Sequence, residues 1–425
     1  MDDGSIDVKR AAREAAYSMP LENIIPSDPE IFRNDTWHPY FERLRKEDPV
    51  HWAVSEEENV GGYWSVTRYN DIMAVDTNHQ VFSSVPTIVL PDPDEDFTLP
   101  MFIAMDPPKH DEQRKTVSPI VAPAHLSYLE PIIRERAAKI LDDLPVGEEI
   151  DWVDKVSIEL TTMTLATLFD FPWEERRKLT RWSDVATAAP ESGIFGTTDP
   201  EEAEQRRRME LFECVDYFTR LWEERVKAPP QPDLISMLAH GESTKNMDRM
   251  EYLGNLILLI VGGNDTTRNT ISGSIYALSQ YPDQDRILRA NPELIPNMVS
   301  ETIRWQTPLA HMRRTALQDF ELEGKTIKAG DKVAMWYVSG NRDETVIDRP
   351  NDYWIERPRV RQHLSFGFGI HRCVGNRLAE LQLKIIWEEM LRRFPRIEVV
   401  GPPRRVYSSF IHGYEHLPVI IPTRN

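Results

Sequence analysis

Cysteine is scarce in this chain: among 425 residues there are only two, Cys214 and Cys373. Two cysteines are too few for a disulfide framework, which excludes the small secreted scaffolds that depend on such cross-links. The low count fits a reducing compartment, and we predict a cytoplasmic protein. Cys214 falls in an amphipathic helical pattern between Leu211 and Phe218, so we interpret it as ordinary packing.

Long apolar runs are also missing. The longest, Leu256 to Val261, is far shorter than the roughly 18 consecutive apolar residues of a membrane span. The polar N-terminal residues contain no apolar stretch of the kind found in a signal peptide. The formal net charge of −19 argues against nucleic acids and anionic membrane surfaces as partners, and solubility is its simplest explanation. We therefore expect neither a membrane anchor nor a nucleic-acid partner.

The chain has no glycine- and serine-rich linker, no internal repeat and no low-complexity tract. Its 32 prolines are spread along the sequence, as expected for punctuation between helices. Helical spacing of apolar residues dominates, in segments 39–46, 126–144, 156–169, 202–227, 250–280 and 293–305. Short strand-like runs occur at 50–54, 63–66, 320–322, 332–336 and 417–421. The pattern predicts a mainly α protein with a small β portion.

The most informative segment surrounds the second cysteine, where residues 366–375 read FGFGIHRCVG. His371 and Arg372 precede Cys373, and nearby positive charge stabilises a thiolate. The apolar pattern after Gly375 predicts a helix whose N-terminus would lie at the sulfur. One thiolate without further Cys or His ligands does not make a zinc or iron–sulfur site, whereas one axial thiolate suffices for a haem iron. The alternative is that Cys373 is a small buried hydrophobe, as most free cysteines are.

The segment resembles the haem-binding signature of the cytochrome P450 family. The matching residues are Phe366, Gly369, His371, Cys373 and Gly375. The resemblance implies haem b as the cofactor, Cys373 as the ligand of its iron, and the cytochrome P450 fold, a triangular domain with haem between two long helices. It extends over about 37–418, so we expect one domain over residues 37–425 after a polar N-terminal segment, residues 1–36.

Two adjacent glycines, Gly262 and Gly263, lie in the middle of the predicted helix 250–280. Each costs roughly 1 kcal/mol relative to alanine, so a packing or functional reason is expected. Close helix packing is one explanation. The other is a local kink that opens a groove for a small ligand, into which Asp265 and Thr266 would project. The family resemblance implies that Thr266 hydrogen-bonds the oxygen being activated and that Asp265 relays protons to it through water.

Three further residues match a structural motif of the family. Glu301 and Arg304 lie on one helix face, which taken alone is a common surface pair. The resemblance implies that the pair is buried, joined by Arg357, and that it holds the loop leading into the cysteine. Four cations are implied as partners of the two haem carboxylates: His110, Arg114, Arg314 and His371.

The resemblance leaves three activities open. They are a monooxygenase that uses O2, a haem-thiolate enzyme that does not activate O2, such as an isomerase or a peroxide-driven peroxygenase, and a gas or redox sensor. Peroxide-driven members typically replace the pair Asp265 and Thr266, and a sensor needs an output module, so the monooxygenase is favoured. Because the chain has no dinucleotide fingerprint and no cysteine cluster, the resemblance implies separate electron donors, a ferredoxin and an NAD(P)H-dependent ferredoxin reductase.

Several segments are similar to the bacterial terminal alkane and fatty-acid hydroxylases, namely 105–111, 256–270, 304–308 and 365–381. The implied substrate is a medium-length linear alkane or fatty acid, hydroxylated at its terminal methyl group, with a cyclic terpene or another hydrophobic small molecule as the alternative. Leu258 and Val261 lie seven and four residues before Asp265, so we expect them on its helix face. The full expected pocket is Met101, Phe102, Leu258, Val261, Gly262, Leu309, Phe410 and Ile411.

The face that carries Cys373 is also where we expect the ferredoxin to dock. Basic residues would supply local positive charge there although the whole chain is acidic. They are Lys109, Lys115, Arg372 and Arg377.

Overall fold

The computed structural model describes residues 3–197 and 199–425. Helices form most of these residues, as predicted. Those of the first half are α1 (Asp3–Ser18), α2 (Pro29–Arg33), α3 (His38–Glu47), α4 (Tyr69–Asp76), α5 (Lys109–Val117), α6 (Pro123–Asp142), α7 (Glu159–Phe169) and α8 (Arg177–Thr187). Those of the second half are α9 (Pro200–Lys227), α10 (Leu234–His240), α11 (Arg249–Gln280), α12 (Pro282–Ala290), α13 (Ile295–Gln306), α14 (Tyr337–Gly340) and α15 (Asn376–Arg393).

The β portion is small. Its strands are β1 (Val50–Ser55), β2 (Gly61–Val66), β3 (Phe82–Ser83), β4 (Glu149–Asp151), β5 (Met312–Ala316), β6 (Phe320–Leu322), β7 (Lys325–Ile327), β8 (Lys332–Met335), β9 (Glu398–Val399), β10 (Arg404–Arg405), β11 (Tyr414–His416) and β12 (Pro418–Ile420). The main sheet has the order β1-β2-β8-β5-β3, and a second sheet has the order β4-β12-β9. In the main sheet β2 and β8 run parallel, whereas the other pairs are antiparallel. The prediction of a mainly α chain with a small β portion is confirmed.

The long helix α11 lies at the centre of the helical layer. It begins after Asp248, whose carboxylate accepts the N–H groups of Met250 and Glu251 and thereby caps the helix. It packs against α7, α8, α13 and α15. Most of its residues are buried, polar ones such as Asn264 and Thr270 included, so its sequence shows no single apolar stripe.

The N-terminal helix α1 packs against α3. An ion pair supports this contact, since Arg13 lies 2.8 Å from Glu42; a second one, between Lys9 and Asp35 at 3.1 Å, ties α1 to the segment before α3. The division of the chain into residues 1–36 and a domain over 37–425 stays a prediction, and residues 1 and 2 lie outside the described residues. Within the described ranges, no helix is long and apolar enough to cross a bilayer.

Candidate active site

A cavity of about 1720 Å³ lies between α11 and the loop that carries Cys373. One wall is formed by α11 and the opposite wall by residues 365–383, which include the start of α15. Residues in 85–105, 308–314 and 407–410 also line it, together with residues in 25–29, 55–59, 186–191 and 200–211. The cavity thus borders the segments in which the sequence placed most candidate site residues, and it extends beyond them.

The loop before Cys373 is held by glycines and by a buried acid. Gly367 and Gly369 have φ values of 64° and 66°, in the left-handed region that glycine adopts without strain. A Cβ at position 369 would lie 2.6 Å from the carbonyl oxygen of Asp76, so the loop packs there only with glycine. Asp76 also accepts the N–H of Phe368 at 2.8 Å. These contacts fix the path of the backbone into the cysteine.

Cys373 lies at the N-terminus of α15, as predicted from the sequence. Its N–H donates to the carbonyl of Phe366 at 2.8 Å. Burial raises the pKa of the Cys373 thiol, while the N–H of Gly375 and the Arg114 and Arg372 guanidinium groups act in the opposite direction. The surroundings of the sulfur therefore contain the hydrogen-bond donors and cations that stabilise a thiolate ligand.

His371 does not supply positive charge to the thiolate, contrary to the expectation from the sequence. Burial, with a further effect of Arg314, lowers the pKa of His371 to about 2. The imidazole is therefore neutral in this arrangement. The cations beside the sulfur are Arg114 and Arg372.

The predicted haem-carboxylate partners lie together at one end of the cavity. Arg114, Arg314 and His371 line its wall. His110 lies behind His371, with the two ring centroids 4.3 Å apart, rather than on the wall itself. Arg314 is held by Asp76, whose carboxylate oxygen lies 2.8 Å away. The structure therefore brings the four residues together and shows that His110 reaches the cavity only through His371.

The polar groups at this end of the cavity fit a bound haem. Nδ1 and Nε2 of His371 and Nε2 of His110 are buried and have no hydrogen-bond partner among the described residues. Leaving such groups unpaired costs about 1–3 kcal/mol each. Haem b, with two carboxylates and a flat apolar ring, can provide a partner for His371, which lines the cavity, and can take Cys373 as its iron ligand.

Helix α11 supplies the wall that faces Cys373. Leu258, Val261, Gly262 and Thr266 all line the cavity. The helix is continuous from Arg249 to Gln280, so the adjacent glycines do not interrupt it, and a local kink stays a prediction. The hydroxyl of Thr266 donates to the carbonyl of Gly262 at 2.9 Å, across one helical turn.

The two adjacent glycines of α11, Gly262 and Gly263, have different roles. A Cβ on Gly262 would meet no atom within 4 Å, because this face of the helix borders the cavity. A Cβ on Gly263 would lie 2.6 Å from Cδ2 of Leu165 on α7. Gly263 therefore permits close helix packing, and Gly262 keeps the cavity wide beside Thr266.

Asp265 does not project into the cavity beside Thr266, so that prediction is wrong. It is fully buried on another face of α11, against α8. Its carboxylate accepts hydrogen bonds from Ser183 at 2.9 Å and Thr187 at 3.2 Å, and it lies 3.0 Å from Arg268. Asp265 and Thr266 point to different sides because each residue of a helix advances by about 100°. Leu258 and Val261 line the cavity, as expected.

The other predicted pocket residues are mostly in place. Met101, Phe102, Leu309 and Phe410 line the cavity, as expected. Ile411 does not line it; it is buried in the core, and its backbone forms a β-bridge with Leu309. The prediction for Ile411 is therefore wrong, since consecutive residues of an extended chain face opposite sides.

The predicted triad of Glu301, Arg304 and Arg357 is assembled and buried. Glu301 lies 2.8 Å from Arg304 and 2.9 Å from Arg357. The two arginines also donate to backbone carbonyls of residues 341, 349, 350 and 352. The triad therefore fastens the chain that precedes the cysteine loop to α13.

Two residues of the site escaped the sequence analysis. Asp76 joins Arg314 to the cysteine loop, yet in the sequence it is only an acid at the end of a short helix. His311 lines the cavity on the strand side, two residues after Leu309. A lone histidine in a strand-like segment gives no signal of this kind, because only the packing decides which face it takes.

The chain is similar to known proteins over most of its length. A family model described as "Cytochrome P450" matches residues 194–405. Linalool 8-monooxygenase of Pseudomonas putida is 37% identical over 93% of this chain and 98% of its own length. A methyl-branched lipid omega-hydroxylase of Mycobacterium tuberculosis is 32% identical over 89% of this chain and 90% of its own length.

Solved structures show the same architecture. Cytochrome P450-153 from Novosphingobium aromaticivorans is 48% identical with a TM-score of 0.85, and the match covers 93% of this chain and 98% of that one. CYP153D17 from Sphingomonas sp. PAMC 26605 is 51% identical with a TM-score of 0.85, over 92% of this chain and 97% of that one. These matches confirm the fold expected from the sequence.

Proposed function

This chain belongs to the cytochrome P450 family, and from that premise we propose that it hydroxylates the terminal methyl group of medium-chain linear alkanes or fatty acids. The broader activity follows from the family: the enzyme is a monooxygenase with haem b as its cofactor. In this reaction one oxygen atom of O2 enters a C–H bond of the substrate. The other leaves as water, which consumes two protons and two electrons.

When bound, haem b supplies the iron at which O2 is activated. We assign to Cys373 the role of its thiolate ligand, and to Arg114, Arg314 and His371 the role of binding its carboxylates. Arg314 is prepared for this by Asp76, which holds the guanidinium at 2.8 Å. Together these residues would hold the cofactor in the cavity between α11 and the loop of Cys373.

Thr266 is the polar residue of the α11 wall that we assign to proton delivery. Its hydroxyl proton is donated to the carbonyl of Gly262, so its oxygen remains free to accept a hydrogen bond from a water molecule. Asp265 would act from behind the wall, through Thr187, which both binds its carboxylate and lines the cavity. Supplying protons through a limited set of groups keeps O2 reduction coupled to hydroxylation.

The observation that carries the substrate assignment is the apolar wall formed by Leu258, Val261, Leu309 and Phe410. Burial of a linear chain against such a wall contributes about 0.8 kcal/mol per methylene. The named omega-hydroxylase among the relatives supports attack at a chain end. The sequence segments that resemble terminal alkane and fatty-acid hydroxylases point the same way.

The electron donors that we propose are a ferredoxin and an NAD(P)H-dependent ferredoxin reductase. The site otherwise needs only O2 and a hydrophobic substrate. A cytoplasmic location, inferred from the low cysteine content, stays a prediction.

Product analysis tests the proposal. The haem-loaded enzyme, supplied with ferredoxin, reductase and NADH, is incubated with octane and with dodecanoic acid. We expect mainly terminal hydroxylation of at least one of them. Mainly subterminal alcohols from both would overturn the assignment, and product formed only with added hydrogen peroxide would instead support a peroxide-driven enzyme.

A terpenoid substrate is the second candidate, and the linalool 8-monooxygenase relative is the observation that favours it. The same incubation with linalool and with a cyclic terpene separates the two. Efficient, coupled hydroxylation of a terpene together with poor conversion of octane would favour this candidate.

A further inference from the structure

Asp76 is an acid at the end of the cavity that fits the haem carboxylates. It lines the cavity together with Arg314, and it is only 3% exposed. A negative charge at this position repels other carboxylates, so it weakens the very site that it borders. The contacts of its side chain show what this acid provides in return.

Three donors surround the Asp76 carboxylate. Oδ1 accepts from the guanidinium of Arg314 at 2.8 Å. Oδ2 accepts from the N–H of Phe368 at 2.8 Å and from the hydroxyl of Tyr337 at 3.1 Å. Burial raises the pKa of the Asp76 carboxyl, whereas these three donors act in the opposite direction. The ionised form of Asp76 is the one that all three donors stabilise.

The three donors come from three separate parts of the fold. Arg314 belongs to β5, Tyr337 begins α14, and Phe368 lies in the loop before Cys373. Asp76 itself is the last residue of α4. A single carboxylate therefore ties an arginine of the haem-carboxylate end to the backbone of the cysteine loop.

Arg114 makes a second connection to the same loop. Its guanidinium donates to the carbonyl of Arg372, the residue before Cys373. Both arginines that we assign to the haem carboxylates are therefore tied to the loop, one directly and one through Asp76. The two connections differ in charge, because a carbonyl is neutral whereas the carboxylate of Asp76 offsets the charge of Arg314.

The positive charge at this end of the cavity is consequently small. With His371 neutral, it comes from Arg114 and Arg314, and Asp76 offsets one of these two charges. Loss of the Asp76 charge would make the site more positive by one unit. Reduction of a haem iron adds one electron to the same cavity, so positive charge there favours the ferrous form and negative charge the ferric form.

We propose that Asp76 is a positioning residue that couples Arg314 to the cysteine loop, and that its negative charge lowers the reduction potential of the haem iron. The electron comes from the ferredoxin, which is oxidised as the ferric iron is reduced. Asp76 acts through Arg314 and Phe368 and not through contact with the substrate. This role therefore does not depend on which substrate the enzyme hydroxylates.

Redox titration of the haem-loaded protein at pH 7.5 tests the charge effect. Asp76→Asn keeps the size of the side chain, but it has no charge, and its one oxygen cannot serve both Arg314 and Phe368. We expect the ratio of ferrous to ferric protein at a fixed solution potential to rise about tenfold, as a unit charge produces over roughly 10 Å at an effective dielectric constant of about 20. For one electron this corresponds to a rise of about 59 mV.

Asp71→Asn is the matched control. Asp71 is a buried acid of the same helix, α4, and it does not line the cavity. Burial raises its pKa to about 6, so it is also ionised at pH 7.5. Asp71→Asn should leave the ratio of ferrous to ferric protein unchanged. An equal rise in Asp71→Asn and Asp76→Asn would mean that the position of Asp76 has no special effect, which would overturn the inference.

Asp76→Glu separates charge from packing. It keeps the charge but lengthens the side chain, so it should change the ratio much less than Asp76→Asn does. Equal rises in both variants would show that packing alone is responsible, and an unchanged ratio in Asp76→Asn would contradict the charge effect directly. The CO-bound spectrum of each variant reports whether it is folded, loaded with haem and ligated by the thiolate.

Tyr337→Phe decides the question if Asp76→Asn binds no haem. It keeps the ring and the Asp76 charge but removes one donor, so the carboxylate is less compensated and the ratio of ferrous to ferric protein should fall. A rise or an unchanged ratio would overturn the inference. Because these readouts are potentials, a wrong hydroxylation position would overturn only the proposed function, and an unchanged potential would leave that function intact.

Discussion

Cys373 and Cys214 differ in what surrounds each sulfur. Cys214 is buried among apolar side chains of α9, and burial raises the pKa of its thiol well above the usual value. Cys373 instead has N–H donors and guanidinium groups around it. We expect Cys373→Ala to lose the long-wavelength Soret band of the CO-bound ferrous protein that thiolate ligation produces. Cys214→Ala should keep it, and a retained band in Cys373→Ala would remove the central assignment.

Thr266 lies on the cavity wall, whereas Asp265 is buried behind it. We expect substitution of either residue to lower the yield of product, although each removes a different contact. Thr266→Ala removes a hydroxyl from the cavity wall, whereas Asp265→Asn disturbs the buried contacts with Ser183 and Arg268. In both, NADH consumption should continue while the product formed per NADH falls roughly tenfold, because proton delivery rather than substrate binding is impaired.

The control for this experiment is Thr164→Ala. Thr164 is buried on α7, its hydroxyl donates to the carbonyl of Leu160, and it does not line the cavity. Peroxide release and product are measured together. Unchanged coupling in Thr266→Ala and in Asp265→Asn would exclude the proposed relay.

At the scale of single elements, the adjacent glycines of α11 give a matched pair. Gly263→Ala would drive a methyl group into Leu165, and overpacking of this kind costs about 1–3 kcal/mol. Gly262→Ala meets open space and should gain up to about 1 kcal/mol of helix stability. Urea unfolding measures the change in the free energy of unfolding for each variant. A stability of Gly263→Ala equal to that of Gly262→Ala would mean that α7 and α11 adjust and accommodate the added methyl group.

Buried and exposed acid–arginine pairs of equal spacing can be compared in the same chain. Glu301 and Arg304 on α13 are buried, whereas Asp283 and Arg286 on α12 are mostly exposed. Glu301→Gln should destabilise the protein by about 3–5 kcal/mol and lower its haem content, because two arginines lose their buried partner. Asp283→Asn should change neither measurement. Full haem loading in Glu301→Gln would show that the triad does not hold the cysteine loop.

The sequence predicts helices and strands better than it predicts the direction in which an individual side chain points. The helices and the position of Cys373 follow from periodicity and from a local motif, which depend on neighbouring residues only. The direction of Asp265 depends on α8, a helix some 80 positions away, whose Ser183 and Thr187 give its carboxylate a partner. Likewise, Asp76 acquires its role only when α4 meets the cysteine loop. Such long-range contacts leave no periodic signal in the sequence.

At the scale of the whole molecule, a net charge of −19 contrasts with the surface next to Cys373. Lys115, Arg372 and Arg377 are exposed there, and none of them forms an ion pair within the described ranges. Lys109 is different, because it lies 2.9 Å from Glu251 and its charge is compensated. The basic surface expected from the sequence is therefore narrower than predicted and centres on the start of α15.

This surface leads to a prediction for electron transfer. If an acidic ferredoxin docks beside Cys373, attraction between opposite charges speeds the encounter and weakens as salt screens it. Arg377→Glu should therefore slow reduction of the haem at low ionic strength and flatten its salt dependence. Arg10→Glu changes the net charge by the same amount. Arg10 lies on α1, which packs against α3, so this substitution should have little effect on the rate of reduction. Stopped-flow reduction by the ferredoxin over a range of salt concentrations measures both. Equal behaviour of the two variants would mean that overall charge, rather than the surface beside Cys373, governs the encounter.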